Sequence, residues 1–161
     1  MLRLANIVET AINPALAMLP PKMDTESARV QLLATGLQES RFEYRRQMNN
    51  GPAKSFWQME RGGGCTGVVK HPAARDLMKQ MCIARSCAFT PLAIWNAIEH
   101  DDVLAAAAAR LLYWTEPKPL PSIGDAGGAW DYYIRVWRPG RPHPATWPAF
   151  YAQAVEEVTG G

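Results

Sequence analysis

Five consecutive alanines, Ala105–Ala109, constrain this chain more than any other feature. Alanine has the highest helix propensity, and a face of methyl groups lets a neighbouring helix approach closely. The run sits between Asp101-Asp102 and Leu111-Leu112-Tyr113-Trp114. That order of capping acid, small residues and bulky apolar residues predicts a buried helix from about Asp102 to Trp114.

The same grammar recurs along the 161 residues. A first helix is expected from Leu2 to Leu19, bent or broken near Pro14 and ended by Pro20-Pro21. A second runs from about Thr25 to Ser40, with Asp24 as the expected N-cap and Glu26 at the positive end of the dipole. Val30, Leu33 and Leu37 mark its buried stripe. Further helices are read from Pro72 to Ala84, from Thr90-Pro91 to about His100, from Asp125 to Trp137, and from Thr146-Trp147-Pro148 to Val158. Pro117, Pro119 and Pro121 belong to an extended loop. Asn49-Asn50-Gly51-Pro52 is a turn. After it, Lys54–Cys65 is too short and glycine-rich for a helix, so a small hairpin is expected there, with Arg61-Gly62-Gly63-Gly64 as a flexible or tight connection. The expected architecture is a mainly α single domain with a small irregular or β insertion near residues 52–64.

Charge and composition exclude several classes. Hydrophobic residues make up 48%, enough for a packed core rather than a disordered chain. Net charge is +2, which gives no footprint for nucleic acid. No apolar run is long enough to span a bilayer. Asn6, Glu9 and Asn13 interrupt the N-terminal apolar stretch, so it reads as an amphipathic helix and not as a signal peptide. Cys65, Cys82 and Cys87 with His71, His100 and His143 show no zinc spacing, so no metal or cofactor is expected. Buried thiols are the expectation, with a Cys82–Cys87 bridge left open.

The chemistry centres on Glu39. A carboxylate in the last turn of a helix faces the negative end of the dipole, and apolar neighbours desolvate it. Both effects raise its pKa, which suits a general acid near neutrality. Glu43, among Arg41, Arg45 and Arg46, is expected to stay ionised. The plain alternative is that Glu39 is a solvated helix-end acid paired with one of those arginines.

Glu39-Ser40-Arg41-Phe42, Gly51-Pro52-Ala53 and Ser55-Phe56-Trp57-Gln58-Met59, followed by Trp130-Asp131-Tyr132-Tyr133 and Val136-Trp137-Arg138-Pro139-Gly140, resemble in order the lytic transglycosylases of the lysozyme-like superfamily. Those enzymes carry Glu-Ser-x-Phe at the end of a buried helix, then a glycine-alanine turn, Gly-Leu-Met-Gln, a small-residue helix and Ala-Tyr-Asn-Ala-Gly. The match covers about residues 25–141. Of Gly-Leu-Met-Gln only Gln58 is kept; Ser55, Phe56 and Trp57 replace the rest. Trp137 and Arg138 stand for the tyrosine and asparagine of the last motif. The short chain and the Trp-Arg-Pro-Gly variant resemble phage or prophage members, which act in lysis or as virion parts that breach the periplasmic cell wall.

The resemblance implies a lysozyme-like fold that cuts the β-1,4 bond between N-acetylmuramic acid and N-acetylglucosamine in peptidoglycan. Glu39 acts as acid and then as base, and the product carries a 1,6-anhydro end. Phe56 and Trp57 are expected to stack on sugar rings. Ser40, Ser55 and Gln58 are expected to hydrogen-bond the glycan. Tyr132, Tyr133 and Trp137 close the far wall, with at most one of the two adjacent tyrosines facing the groove. Trp95, Trp130 and Trp147 are assigned to packing. Arg135, Arg138 and Arg141 form either a basic face or a contact to peptide-stem carboxylates. Glu60 is the second acid a hydrolytic muramidase would need. Two other expectations stand beside the enzyme: a virion assembly role that keeps the fold, with other virion proteins as partners, and wall binding without turnover.

Overall fold

The structure is a computed structural model and describes residues 3–160. Secondary structure is mainly helical, as the sequence predicts. The first helix, expected to be bent or broken near Pro14, is not broken: α1 (Leu4–Ile7), a π-turn over Val8–Ile12 and α2 (Asn13–Ala17) follow one another without a gap. The wider turn lies just before Pro14, where a proline ring would crowd the preceding carbonyls of a regular helix. The expected start at Leu2 lies outside the described residues.

Helix α3 (Glu26–Ser40) is capped by Thr25, whose hydroxyl accepts from the Ala28 amide at 3.0 Å. Asp24 is not the cap; it pairs instead with Arg29 at 2.7 Å. Nor is α3 buried on one stripe only. Every residue from Val30 to Leu37 is buried, so this is the central helix rather than a surface one. Its polar members are satisfied internally. Gln31 Nε2 donates to the Ala129 carbonyl at 3.0 Å and to the Tyr113 hydroxyl at 3.3 Å, and Thr35 Oγ1 lies 2.6 Å from that same hydroxyl. Buried polar groups need such partners, so the cluster pins α3 to the helices that follow it.

Beyond α3, β1 (Ala53–Lys54) and β2 (Met59–Glu60) pair antiparallel, Ala53 with Glu60 and Lys54 with Met59, which is the small hairpin expected. Of the two connections expected for the triglycine, flexible or tight, the structure has the tight one. Arg61–Cys65 winds as a π-turn straight into α4 (Thr66–Lys70). A Cβ on Gly64 would stand 2.9 Å from Met59 Cε and 3.1 Å from Leu112 Cδ2, so a bare backbone is what fits there. Pro72 does not open the next helix: α5 spans Arg75–Ala84. His71 accounts for the delay, its Nδ1 accepting from the Ala73 amide at 3.0 Å and its carbonyl from Ala74 and Arg75.

Helix α6 (Pro91–Ile98) is capped by Thr90, and α7 (Asp102–Trp114) by Asp101. All five alanines of α7 are fully buried, and the helix packs against the first helix, α3 and α5. Helix α8 (Ala126–Trp137) starts on Asp125 and stops at a left-handed Arg138. Helix α9 (Trp147–Thr159) packs along α3. One cluster of buried side chains joins these helices and the hairpin loop. Among the described residues no helix is long and apolar enough to cross a membrane, and no group of histidine, cysteine and acidic residues could hold a metal ion.

Candidate active site

Glu39 lies in the last turn of α3, half-buried. Its carboxylate receives a hydrogen bond from the Tyr133 hydroxyl of α8. Among the described residues it makes no ion pair, so the arginine-paired alternative is excluded. Burial pushes the Glu39 carboxyl up to about 7, and the Tyr133 hydrogen bond pulls the other way. Burial, together with the neighbouring Glu39 charge, raises the Tyr133 phenol far above its ordinary value, so tyrosine is the donor of the pair. The result is a carboxyl group divided between acid and conjugate base near neutrality.

The three arginines beside Glu39 have other partners. Arg45 makes a two-pronged bond to Asp102 at 2.8 and 2.9 Å and lies 4.3 Å from the Phe56 ring centre. Arg46 approaches Glu99 at 4.0 Å, and Arg41 lies over Phe150. None of them forms an ion pair with Glu43.

Local backbone explains how Glu39 is held. After Ser40 the chain reverses through two left-handed residues, Arg41 at φ 54° and Phe42 at φ 54°. Such conformations are uncommon for residues with side chains and persist only where the surroundings impose them. Here Ser40 Oγ accepts from the Phe42 amide at 3.1 Å and donates to the Phe56 carbonyl at 2.7 Å. The reversal lays the Phe42 ring on Gly36, where a Cβ would come within 2.1 Å of it. Phe42, Phe56 and Trp57 then meet edge to face, with ring centres 5.3 to 6.4 Å apart.

That cluster corrects the expectation for Phe56 and Trp57. They are 1% and 0% exposed, so neither offers a ring face to a sugar. Trp57 Nε1 donates to the Leu32 carbonyl at 2.8 Å, deep in the core. Ser40 and Ser55 are also buried and serve their own loops: Ser55 Oγ accepts from the Trp57 amide at 3.1 Å. Of the four expected glycan contacts Ser55, Phe56, Trp57 and Gln58, Gln58 alone lines the larger groove, and its amide donates to the Ser55 carbonyl at 2.8 Å. Tyr132 and Tyr133 are both buried and point apart. Tyr132 donates to the Lys118 carbonyl at 2.8 Å, while Tyr133 turns to Glu39 and stacks on Trp147 at 5.2 Å. Trp147 therefore supports the tyrosine at the carboxylate. Trp137 is half-buried, donates from Nε1 to the Trp57 carbonyl at 2.8 Å, and lies 4.6 Å from the Tyr113 ring.

The described residues form two concavities near the chain neighbours of this centre. The larger, about 670 Å³, runs between the hairpin–triglycine segment and the end of α8, with Gln58, Glu60, His71, Trp137 and Arg138 on its walls. The smaller, about 360 Å³, is walled by Gln38, Arg41, His143 and Phe150. Glu39 lines neither; its chain neighbours Gln38 and Arg41 belong to one, and Trp137, one helical turn beyond Tyr133, belongs to the other. Arg135 at the larger groove pairs with Glu116 at 3.6 Å, and Arg141 is exposed outside both.

Sequence reasoning missed Tyr113, Thr35 and Gln31, which form a buried hydrogen-bonded cluster further along α3 from Glu39. Thr35 and Gln31 precede Glu39 by one and two turns of α3, and that spacing was the signal available. Compared with known proteins, the chain matches no family model, no curated protein and no solved structure.

Proposed function

We propose that this chain is a peptidoglycan-cleaving lytic transglycosylase with a lysozyme-like arrangement of helices. The observation that carries the reading is one carboxyl group, Glu39, which among the described residues pairs with no cation, is raised to about 7 and is held by a tyrosine. The order of motifs in the sequence supports the same reading.

In this mechanism the Glu39 carboxylic acid gives its proton to the glycosidic oxygen as the C1–O bond breaks. Positive charge spreads over C1 and the ring oxygen. The C6 hydroxyl of the same sugar then attacks C1, and the Glu39 carboxylate removes its proton. One glutamate performs both transfers, so no second carboxylate is required. The value near 7 suits a group that must be an acid first and a base afterwards. Gln58, Trp137 and Arg138 would contact glycan on the α8 side, and Gln38, Arg41 and Phe150 on the other. The setting implied by the motifs is a phage virion or its host, with the periplasmic wall as target.

Glu60 keeps a hydrolytic muramidase as the second reading, because it is exposed on the wall of the larger groove. Mass spectrometry of purified peptidoglycan digested by the wild type and by Glu39→Gln separates them. Anhydro ends from the wild type alone establish the transglycosylase. Reducing ends mean hydrolysis. Absence of products from both proteins, with a transglycosylase control active on the same substrate, refutes the enzyme and favours a virion assembly role.

A further inference from the structure

Helix α5 ends in a complete Schellman motif. Ser86 is left-handed at φ 56°, its amide donates to the Ile83 carbonyl at 3.3 Å, and the Cys87 amide donates back to the Cys82 carbonyl at 2.8 Å. This motif brings the side chain three places before the cap against the side chain two places after it, usually as an apolar contact. Here both positions are cysteine. Both thiols are free, and Cys87 Sγ donates to the Ala88 carbonyl at 3.3 Å. Cys82 is 1% exposed, whereas Cys87 is half-buried and open to a reagent. Cys65, the remaining cysteine, is fully buried.

We propose that Cys82 and Cys87 are a disulfide modification site, closed by a dithiol-oxidising reagent of the glutathione disulfide or thiol–disulfide oxidase class when the protein enters an oxidising compartment. The Cys87 thiolate attacks the oxidant's disulfide; one S–S bond breaks, a mixed disulfide forms, and the first glutathione thiol leaves. The Cys82 thiolate then attacks Cys87 Sγ and expels the second. Two protein thiols lose two electrons and two protons, and one glutathione disulfide becomes two thiols. Burial raises both cysteines, Cys82 to about 12, so uncatalysed closure is slow at neutral pH. The same property makes the protein sulfurs poor leaving groups, so the bridge persists once formed.

The bridge has a structural consequence. The ring it closes contains Arg85, which makes a two-pronged bond to Asp101 at 2.9 and 3.0 Å. Asp101 is the N-cap of α7. Oxidation therefore staples the turn that grips the end of the alanine helix. This inference is independent of the peptidoglycan reading and has its own readout.

The test incubates the full chain with glutathione disulfide at about pH 8.5, where thiolate is available. The sample is then denatured, alkylated and mapped by mass spectrometry, and melted with and without reductant. The expected product is about 2 Da lighter, carries alkyl label on Cys65 alone, and melts about 5 °C higher than its reduced form. Cys82→Ser should stop at glutathione on Cys87, and Cys87→Ser should leave Cys82 unmodified in the folded protein. Three alkylated thiols in the wild type, a persistent glutathione adduct, or a bridge that uses Cys65 would each overturn the proposal. Equal melting of oxidised and reduced forms would overturn the stapling role.

Discussion

The Tyr133 hydroxyl on α8 donates to the Glu39 carboxylate on α3, joining residues 94 apart in the chain. Tyr133 is itself stacked on Trp147 of α9, so three helices meet at this one hydrogen bond. The contact favours the ionised carboxylate, while burial opposes ionisation more strongly. A group balanced in this way is sensitive to every partner it has.

Removing the proposed proton donor gives the first prediction. Glu39→Gln keeps the shape and loses the chemistry, so cleavage of purified peptidoglycan should fall by about 10³-fold or more. Turnover near the wild-type rate, measured as anhydro or reducing ends per hour, would show that another group is the acid.

The same carboxyl sets a pH dependence of stability. Its folded value of about 7 lies above the ordinary 4.5, so between those limits the unfolded chain is ionised while the folded chain keeps its proton. The folded state binds more protons there, and stability falls as pH rises. The full drop is about 3 kcal/mol between pH 4.5 and pH 8. Urea titrations over that range should show the decline in the wild type and flatten it in Glu39→Gln.

Tyr133→Phe removes only the hydroxyl. Without its donor the Glu39 carboxylate loses stabilisation, and its pKa should rise further. The alkaline limb of the pH–rate profile should move to higher pH, with kcat down by about tenfold. An unshifted profile with lower activity would mean that the tyrosine acts on the substrate and not through Glu39.

Trp57 belongs to the core, and its replacement should show it. Trp57→Ala removes a fully buried indole and its bond to the Leu32 carbonyl, so unfolding free energy should fall by about 3–5 kcal/mol. A stable variant with weakened glycan binding would return Trp57 to the groove wall.

Gly36→Ala tests the packing that places Glu39. The added methyl would enter the Phe42 ring, so Phe42 must move and the Ser40–Phe42 reversal with it. A loss of about 1–3 kcal/mol is expected by chemical denaturation. An activity loss larger than the fraction unfolded would show that the reversal also orients the carboxylate.

The sequence by itself determined the helices, because their signals are local. Thr90, Asp101 and Asp125 cap the helices they precede, and Ala105–Ala109 could only be a closely packed helix. It also singled out Glu39, since one acid at the end of an apolar helix is visible as spacing. Two local signals misled: Pro72 suggested a helix start that His71 delays, and Asp24 a cap that Thr25 provides. Tertiary structure decided which side chains meet. Composition does not tell an exposed aromatic from a buried one, so Phe56 and Trp57 looked like sugar platforms until Phe42 folded onto them. Tyr133 reaches Glu39, and Trp147 stacks behind it, only because α8 and α9 pack beside α3, and the desolvation that raises the Glu39 carboxyl arises only in the folded chain.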